Sequence, residues 1–351
     1  MHLAQIRDFE KGMVIKMKKT DSNQSIISIL KKKIGTQRLI ALLVMILIYT
    51  FFAVASPAFR SLNTLISIFD SSYYIGFMAI GVTFVIITGG IDLSIGTILI
   101  CSTLIGGTLY GAGLPMWLTL IAIILVGALF GLANGLMVSI MKLPAFIATL
   151  AMMMITRGFG SIVTKTKSIT FPLRSAGDGW YKSLFRTGPY GKFTTGLPTG
   201  ILILIGLAII MAIILNKTKI GRYILAIGSN KEAARLSGVN VMKYETMAYV
   251  ISGMFAGIAG ISYVAIYSTV QPGTGNGFEM DAIAGVVIGG TSLAGGMGSI
   301  VGTMLGVFIM SILKVGLPFI GLQPHYQLFI TGFVLIIAVY ADVRNHLKNK
   351  K

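Results

Sequence analysis

Apolar residues arrive in blocks of about twenty, near 39–57, 64–88, 93–112, 116–140, 144–164, 198–215, 246–270, 280–296, 298–318 and 324–342, parted by short polar joints. Twenty residues of helix rise about 30 Å, the depth of a bilayer's hydrocarbon, where only helices and closed barrels satisfy their own backbone. The pattern restricts the chain to an all-α polytopic membrane protein with about ten transmembrane helices, of which 280–296 is short. Composition agrees: 55% hydrophobic and only 11% charged residues, mean hydropathy +0.85, and 43 glycines, a number that suits close-packed membrane helices.

The net charge of +18 does not point to nucleic acid. The basic residues lie in tails and joints between apolar blocks, not as a stripe on a soluble domain. Residues 1–38 form a basic tail with a Lys31-Lys32-Lys33 cluster, and the apolar core comes too late for a signal peptide. The tail is therefore cytoplasmic; Met13 and Met17 offer alternative starts. Residues 39–343 are the membrane domain, and 344–351 a second cytoplasmic tail. Counting spans from the N-terminus puts the joint 216–245 inside, where its six basic residues belong. It puts 165–197, with six more, outside, against the rule. Asp92 is followed by Gly96 and Gly106-Gly107, and Asp281 at the same offsets by Gly285 and Gly295-Gly296, which fits two repeats of about five spans.

The joint 216–245 carries helical punctuation. Ser229 and Glu232 are spaced as a capping box, Ala233, Ala234, Arg235 and Leu236 are good helix formers, and Gly238 suits the left-handed position past a helix end. Two turns of helix are marginal alone, so either the rest of the chain or a partner holds them. The plain reading is a capped surface turn; the functional one is a docking element.

Four stretches carry a resemblance: Glu232-Ala233-Ala234 with Gly238, GGIDLSIG (89–96), AFIATL (145–150) and QPGTGNGFEMDAIAGVVIGGTSLAGG (271–296). The first resembles the EAA-x3-G loop of ABC importer permeases, without the Leu-Pro that often ends it, and together they resemble ribose-type monosaccharide permeases. The resemblance implies a permease subunit of an ATP-driven importer in a bacterial cell membrane, moving a monosaccharide such as ribose; galactose, xylose or a furanosyl signal molecule are alternative cargoes. It implies a second permease copy, an ABC ATPase subunit carrying ATP and magnesium, and an extracytoplasmic sugar-binding protein. It also gives Ser229, Asn230, Glu232, Ala233, Ala234, Arg235, Leu236 and Gly238 an ATPase-coupling role.

Catalytic signatures are missing. There is no P-loop, no dinucleotide motif, no His/Cys metal cluster and no plausible Ser-His-Asp set, the histidines being His2, His325 and His346. The expectation is no enzyme, no metal and no cofactor in this chain. Cys101 is a small buried hydrophobe.

The chemistry-bearing residues are the charges inside apolar blocks, since each costs about 2.5–3.5 kcal/mol at the bilayer centre unless paired or facing a cavity. Asp92, followed by Ser94, either stitches a helix start or lines a path. Arg157 balances one of the acids or snorkels, and the expectation for it and Asp92 is that they pair or share a polar cavity. Glu279 and Asp281 follow a Gly-rich stretch and sit either at a broken helix facing a hydrophilic path or in a solvent turn. The rival reading is a secondary transporter with Asp92 or Asp281 as its ion-coupling carboxylate.

Overall fold

The computed structural model describes residues 36–187 and 196–349; most of the basic tail 1–38, together with Lys350 and Lys351, lies outside them. Among the described residues are α1 (Thr36–Ala55), α2 (Leu62–Ile87), α3 (Ile95–Gly111), α4 (Met116–Ser139), α5 (Ala145–Val163), α6 (Gly200–Lys217), α7 (Lys219–Ser229), α8 (Lys231–Leu236), α9 (Val241–Tyr267), α10 (Phe278–Ile288), α11 (Ile300–Phe319) and α12 (Pro324–Asn349). Seven of them, α1, α2, α4, α5, α6, α9 and α11, are long and apolar enough to cross a membrane. The expected ten is not reached by this measure. α3 has 17 residues, the apolar part of α12 is His325–Ile337, and α10 stops after 11 residues where Gly289 and Gly290 follow, so the second half of 280–296 is a turn.

The core is a row of antiparallel helices, α4–α9–α2–α11. Residue contacts run in opposite senses along each pair: Tyr74 of α2 meets Tyr263 and Tyr267 of α9, while Gly81 lies against Ser252 and Phe255. α2 is the centre, its apolar span wholly buried. α1, α4, α5 and α6 present apolar residues such as Leu47, Leu129, Ile155 and Ile209 outward, as helices bathed in lipid do.

Lipid tails are as apolar as leucine, so burying side chains does not drive these helices together; close backbone packing must. α4 supplies Gly127, Gly131 and Gly135 on one face, and α9 answers with Gly253 and Gly257. A Cβ on Gly253 would lie 2.8 Å from the Gly131 Cα, and one on Gly135 2.8 Å from the Thr246 Cα. α10 and α11 repeat the device, Gly285 against Gly306 and Gly289 against Gly302. The polar contact Thr83–Thr303, 3.0 Å, pins α2 to α11.

The segment 165–187 is not a free loop. Ile169–Thr170 (β1) pairs antiparallel with Thr269–Val270 (β2), and Gly177–Leu184 forms a 3-10 turn. Two of its unexplained cations are held by the protein: Arg186 pairs with Asp70 at 2.7 Å and Lys182 donates to Ser268 Oγ at 2.8 Å. Burial lowers the Lys182 ammonium to about 8. A charge rule that counts solvated loop residues does not apply to cations with such internal partners.

The packing predicts a contrast between glycines. Gly131→Val forces α4 off α9 and should abolish the monodisperse size-exclusion peak in detergent. Gly206→Val on α6, where a Cβ meets nothing within 4 Å, should leave it intact.

Candidate functional site: two half-helices and a capped hairpin

The two interior breaks in helix are related. After α2 the chain runs non-helically through 88–94 before α3, and after α9 through 268–277 before α10. Asp92 is hydrogen-bonded to Ser252, the twelfth residue of the 27-residue α9, so α3 starts near mid-depth. Phe278 stacks at 5.0 Å on Tyr74, midway along α2, so α10 starts near mid-depth as well. The two starts touch: a Cβ on Gly96 would lie 2.5 Å from Glu279 Oε2 and 3.1 Å from the Gly275 carbonyl oxygen. Two helix N-termini, each with unsatisfied amides and a positive dipole end, therefore converge among buried carboxylates.

Asp92 is fully buried, and its carboxylate accepts three hydrogen bonds: Ser94 N at 3.0 Å, Ser94 Oγ at 2.6 Å and Ser252 Oγ at 2.8 Å. Asn134 donates to Ser94 Oγ at 2.8 Å, joining α4 to the cluster. The stitch to Ser94 is thus formed; the expected pair with Arg157 is not. Arg157 donates instead to Asn276 Oδ1, in the loop before α10, and lies within electrostatic reach of Glu279. The reason is local. Ser94 and Ser252 already supply donors to both Asp92 oxygens, and Asn276 supplies the acceptor for the guanidinium.

Glu279 and Asp281 are 7% and 5% exposed, which excludes the solvent-turn reading. Glu279 Oε1 accepts Gly277 N at 3.3 Å, while Oε2 has no hydrogen-bond partner. Asp281 accepts from Lys314 at 2.8 Å, and that ammonium also lies 5.0 Å from the Phe278 ring centre and 5.4 Å from that of Tyr74. The offset pairing of Asp92 with Asp281 does not survive. Asp92 lies three residues before α3, Asp281 three residues after the start of α10.

Lys314, Asp70, Ser252 and Asn134 escaped the sequence reading. Lys314 and Asp70 are the only charges in the blocks 298–318 and 64–88, so the test applied to Asp92 would have found them. The partner of each lies far along the chain, and no spacing signals it.

The joint 216–245 is a helical hairpin. α7 is an amphipathic helix the sequence did not announce, capped by Thr218 and burying Gly221, Ile224 and Ile227. Ser229 ends it, so the Ser229–Glu232 capping box does not form. Asn230 is the cap of α8 instead, accepting from Ala233 N at 2.9 Å, and Glu232 pairs with Arg235 at 3.0 Å. Asn230 wins because the break between α7 and α8 leaves it the first extended residue. Gly238 has φ +81°. Its amide and that of Val239 bond to the carbonyls of Arg235 and Ala234, a Schellman ending. Ala234 packs with Ile227 and Val241, and Lys231 pairs at 2.8 Å with the nearly buried Glu245 of α9. Glu232, Ala233, Arg235 and Leu236, the last 78% exposed, are left on the outside.

The base of this hairpin meets the end of α2 and the turn that follows α10. Gly228 lies against the Ile87 carbonyl at the end of α2, and a Cβ there would stand 2.5 Å from Gly296 N. Gly296 N donates to that same Ile87 carbonyl at 2.9 Å, and a Cβ on Gly296 would be 2.8 Å from the Ser229 Cα. One crossing of bare backbone joins α7 to the segment leading into α3 and to the turn leaving α10.

A membrane bundle with discontinuous helices at its centre and a capped, outward-facing hairpin at one end is the architecture of a permease subunit, a multi-pass membrane protein. Residues 64–339 match the family described as "Branched-chain amino acid transport system / permease component", and the chain belongs to it. It is similar to the ribose import permease protein RbsC of Escherichia coli K12, 38% identical over 307 residues, 87% of this chain and 92% of that protein. The Bacillus subtilis RbsC is 35% identical (83% and 88% covered), and the fructose import permease protein FrcC of Rhizobium meliloti 34% (86% and 84%). No solved structure matches.

Removing one member of Asp281–Lys314 leaves the other buried and alone, so Asp281→Asn and Lys314→Met should each destabilise by about 3 kcal/mol. The double variant should recover part of that. A thermal-unfolding double-mutant cycle checks it, and additive losses would reject the pair.

Proposed function

We propose that the chain is the membrane-spanning subunit of an ATP-driven importer for a monosaccharide, with ribose the first choice. The observation that carries this is the hairpin: α8 is packed from beneath by Ile227, Val241 and the Lys231–Glu245 pair, exposes Glu232, Ala233, Arg235 and Leu236, and its base abuts the end of α2 and the turn that leaves α10. An ABC ATPase subunit, which binds ATP and magnesium, docks on α8. Its closure shifts α7, and the shift reaches α3 through 88–94 and α10 through 289–299. The meeting point of Gly96, Glu279 and Asn276 is where the path opens and closes, with Asp92, Ser94, Arg157 and Asp281 around it. The family's description names amino acids, but the relatives above carry ribose and fructose in their names, and a path whose gate is lined by hydroxyls, an amide and carboxylates suits a polyol.

In this reading the ten segments all count as crossings, with α3 and α10 as partial ones that turn at mid-depth. The row α4–α9–α2–α11 maps onto itself when α2 exchanges with α9 and α4 with α11. That supports two inverted repeats of about five segments. Both termini and the hairpin are then cytoplasmic. Two copies assemble, and an extracytoplasmic sugar-binding protein selects the cargo, so the isolated subunit has no tight sugar site.

Gly238→Val tests coupling without a packing artefact, because a Cβ there meets nothing within 4 Å and only the left-handed backbone is strained. The strain, about 1–2 kcal/mol, is comparable with what a helix of six residues can spare. Expression should stay near normal while sugar uptake and sugar-stimulated ATP hydrolysis both fall steeply in the assembled complex. Asn230→Ala, costing about 1 kcal/mol, should be milder. Normal uptake by Gly238→Val, or uptake that resists vanadate and stops with a protonophore, would favour the ion-driven reading.

Sidedness has its own test. Cys101, the only cysteine, is buried, so Leu236→Cys gives a clean label. A membrane-impermeant maleimide should modify it in inside-out vesicles and not in intact cells.

A further inference from the structure

A groove of about 420 Å³ runs between α6 and α11 on the outer surface of the bundle. Ala208 and Ala212 on α6 face Met304 and Phe308 on α11, and small residues opposite large ones leave the gap. At the α7 end the lining turns polar, with Asn216 and Lys217. Lys219 and Arg222, both exposed, follow at once, and Arg222 Nη1 reaches the Lys217 carbonyl at 3.4 Å.

Among the described residues, these three cations have no ion pair with a carboxylate. On the hairpin side the described carboxylates are Glu232, paired with Arg235, and Glu245, paired with Lys231. An apolar slot open to the membrane, ending in an uncompensated cluster of cations at the water boundary, has the shape of a phospholipid. We propose that the α6–α11 groove binds one anionic phospholipid, an acyl chain between the helices and its phosphate against Lys217, Lys219 and Arg222. The proposal rests on the cytoplasmic placement of the hairpin argued above, which makes this a lipid of the inner leaflet.

The physics says where selectivity lies. An acyl chain gains little by leaving lipid for an apolar groove, so the groove orients it and the cations choose the headgroup. Each Lys or Arg near an anionic surface is worth roughly a five-fold change in binding. Since Arg222 lies in α7, the lipid also bears on the helix that carries the coupling hairpin.

The test uses the purified full chain in nanodiscs of phosphatidylglycerol or phosphatidylcholine with matched acyl chains. Lipid retained after transfer to detergent is read by native mass spectrometry. The wild type should retain one phosphatidylglycerol and little phosphatidylcholine. Lys217→Gln and Arg222→Gln should each lower retention about five-fold, and Ala212→Phe, which fills the groove, should abolish it while the size-exclusion peak stays monodisperse. Equal retention of both lipids, or undiminished retention in Ala212→Phe, would overturn the proposal. So would cross-linking from Ile209→Cys to a second permease copy or to the ATPase subunit, which makes the groove a protein interface. Maleimide labelling at Leu236→Cys separates the two failures: labelling from outside rejects the cytoplasmic placement, whereas labelling from inside without lipid retention rejects the lipid site alone.

Discussion

Backbone that leaves a helix inside a bilayer finds no water, and every amide and carbonyl it frees must be met by the protein itself. This chain breaks its helices twice at depth, and the rest of the bundle follows from supplying those partners. Asp92 takes up the Ser94 amide, Thr149 Oγ1 donates to the Ile91 carbonyl at 3.1 Å, and Glu279 accepts from Gly277. Each partner comes from, or is braced by, a neighbouring helix. The breaks are therefore tolerable only once α2, α4, α5 and α9 have assembled, which ties the polar centre to the packing of the whole.

Glycine makes that packing possible. Where α4 crosses α9, and α10 crosses α11, the backbones approach to distances a methyl group would forbid. Dispersion over those faces and a few interior hydrogen bonds take the place of the hydrophobic drive that lipid does not provide. Several of the charges enter with partners: Asp281 with Lys314 under aromatic rings, Asp70 with Arg186, and Arg157 with Asn276. A carboxylate left alone in such surroundings would be costly.

How much of this was legible before the structure depended on the range of the interactions involved. Span positions follow from local hydropathy, and α4 and α5 fall within one residue of the blocks 116–140 and 144–164. The left-handed Gly238 was equally local. The capping residue was misplaced by one position, because Ser229 and Asn230 are both good caps and only the unforeseen end of α7 decides between them. The depth of the breaks, the contact of Gly96 with Glu279, and the partner of Lys314 were beyond reach. They join residues more than thirty positions apart, and nothing in a run of apolar letters records which helix lies beside which. Asp92 and Arg157 illustrate the limit: opposite charge suggests a direct pair, whereas the acid takes its three hydrogen bonds from Ser94 and Ser252 and the guanidinium goes to Asn276.

The crossing of Gly228, Ile87 and Gly296 has a mechanical meaning. Joints built from side chains have compliance, since rotamers can turn and soak up part of any displacement before it moves on. Here the bearing surfaces are bare main chain in contact, fixed by one amide-to-carbonyl bond at 2.9 Å. Such a linkage has little backlash: a displacement of α7 would pass together to the end of α2 and to the turn that leaves α10, with no side-chain rotamers between to take it up.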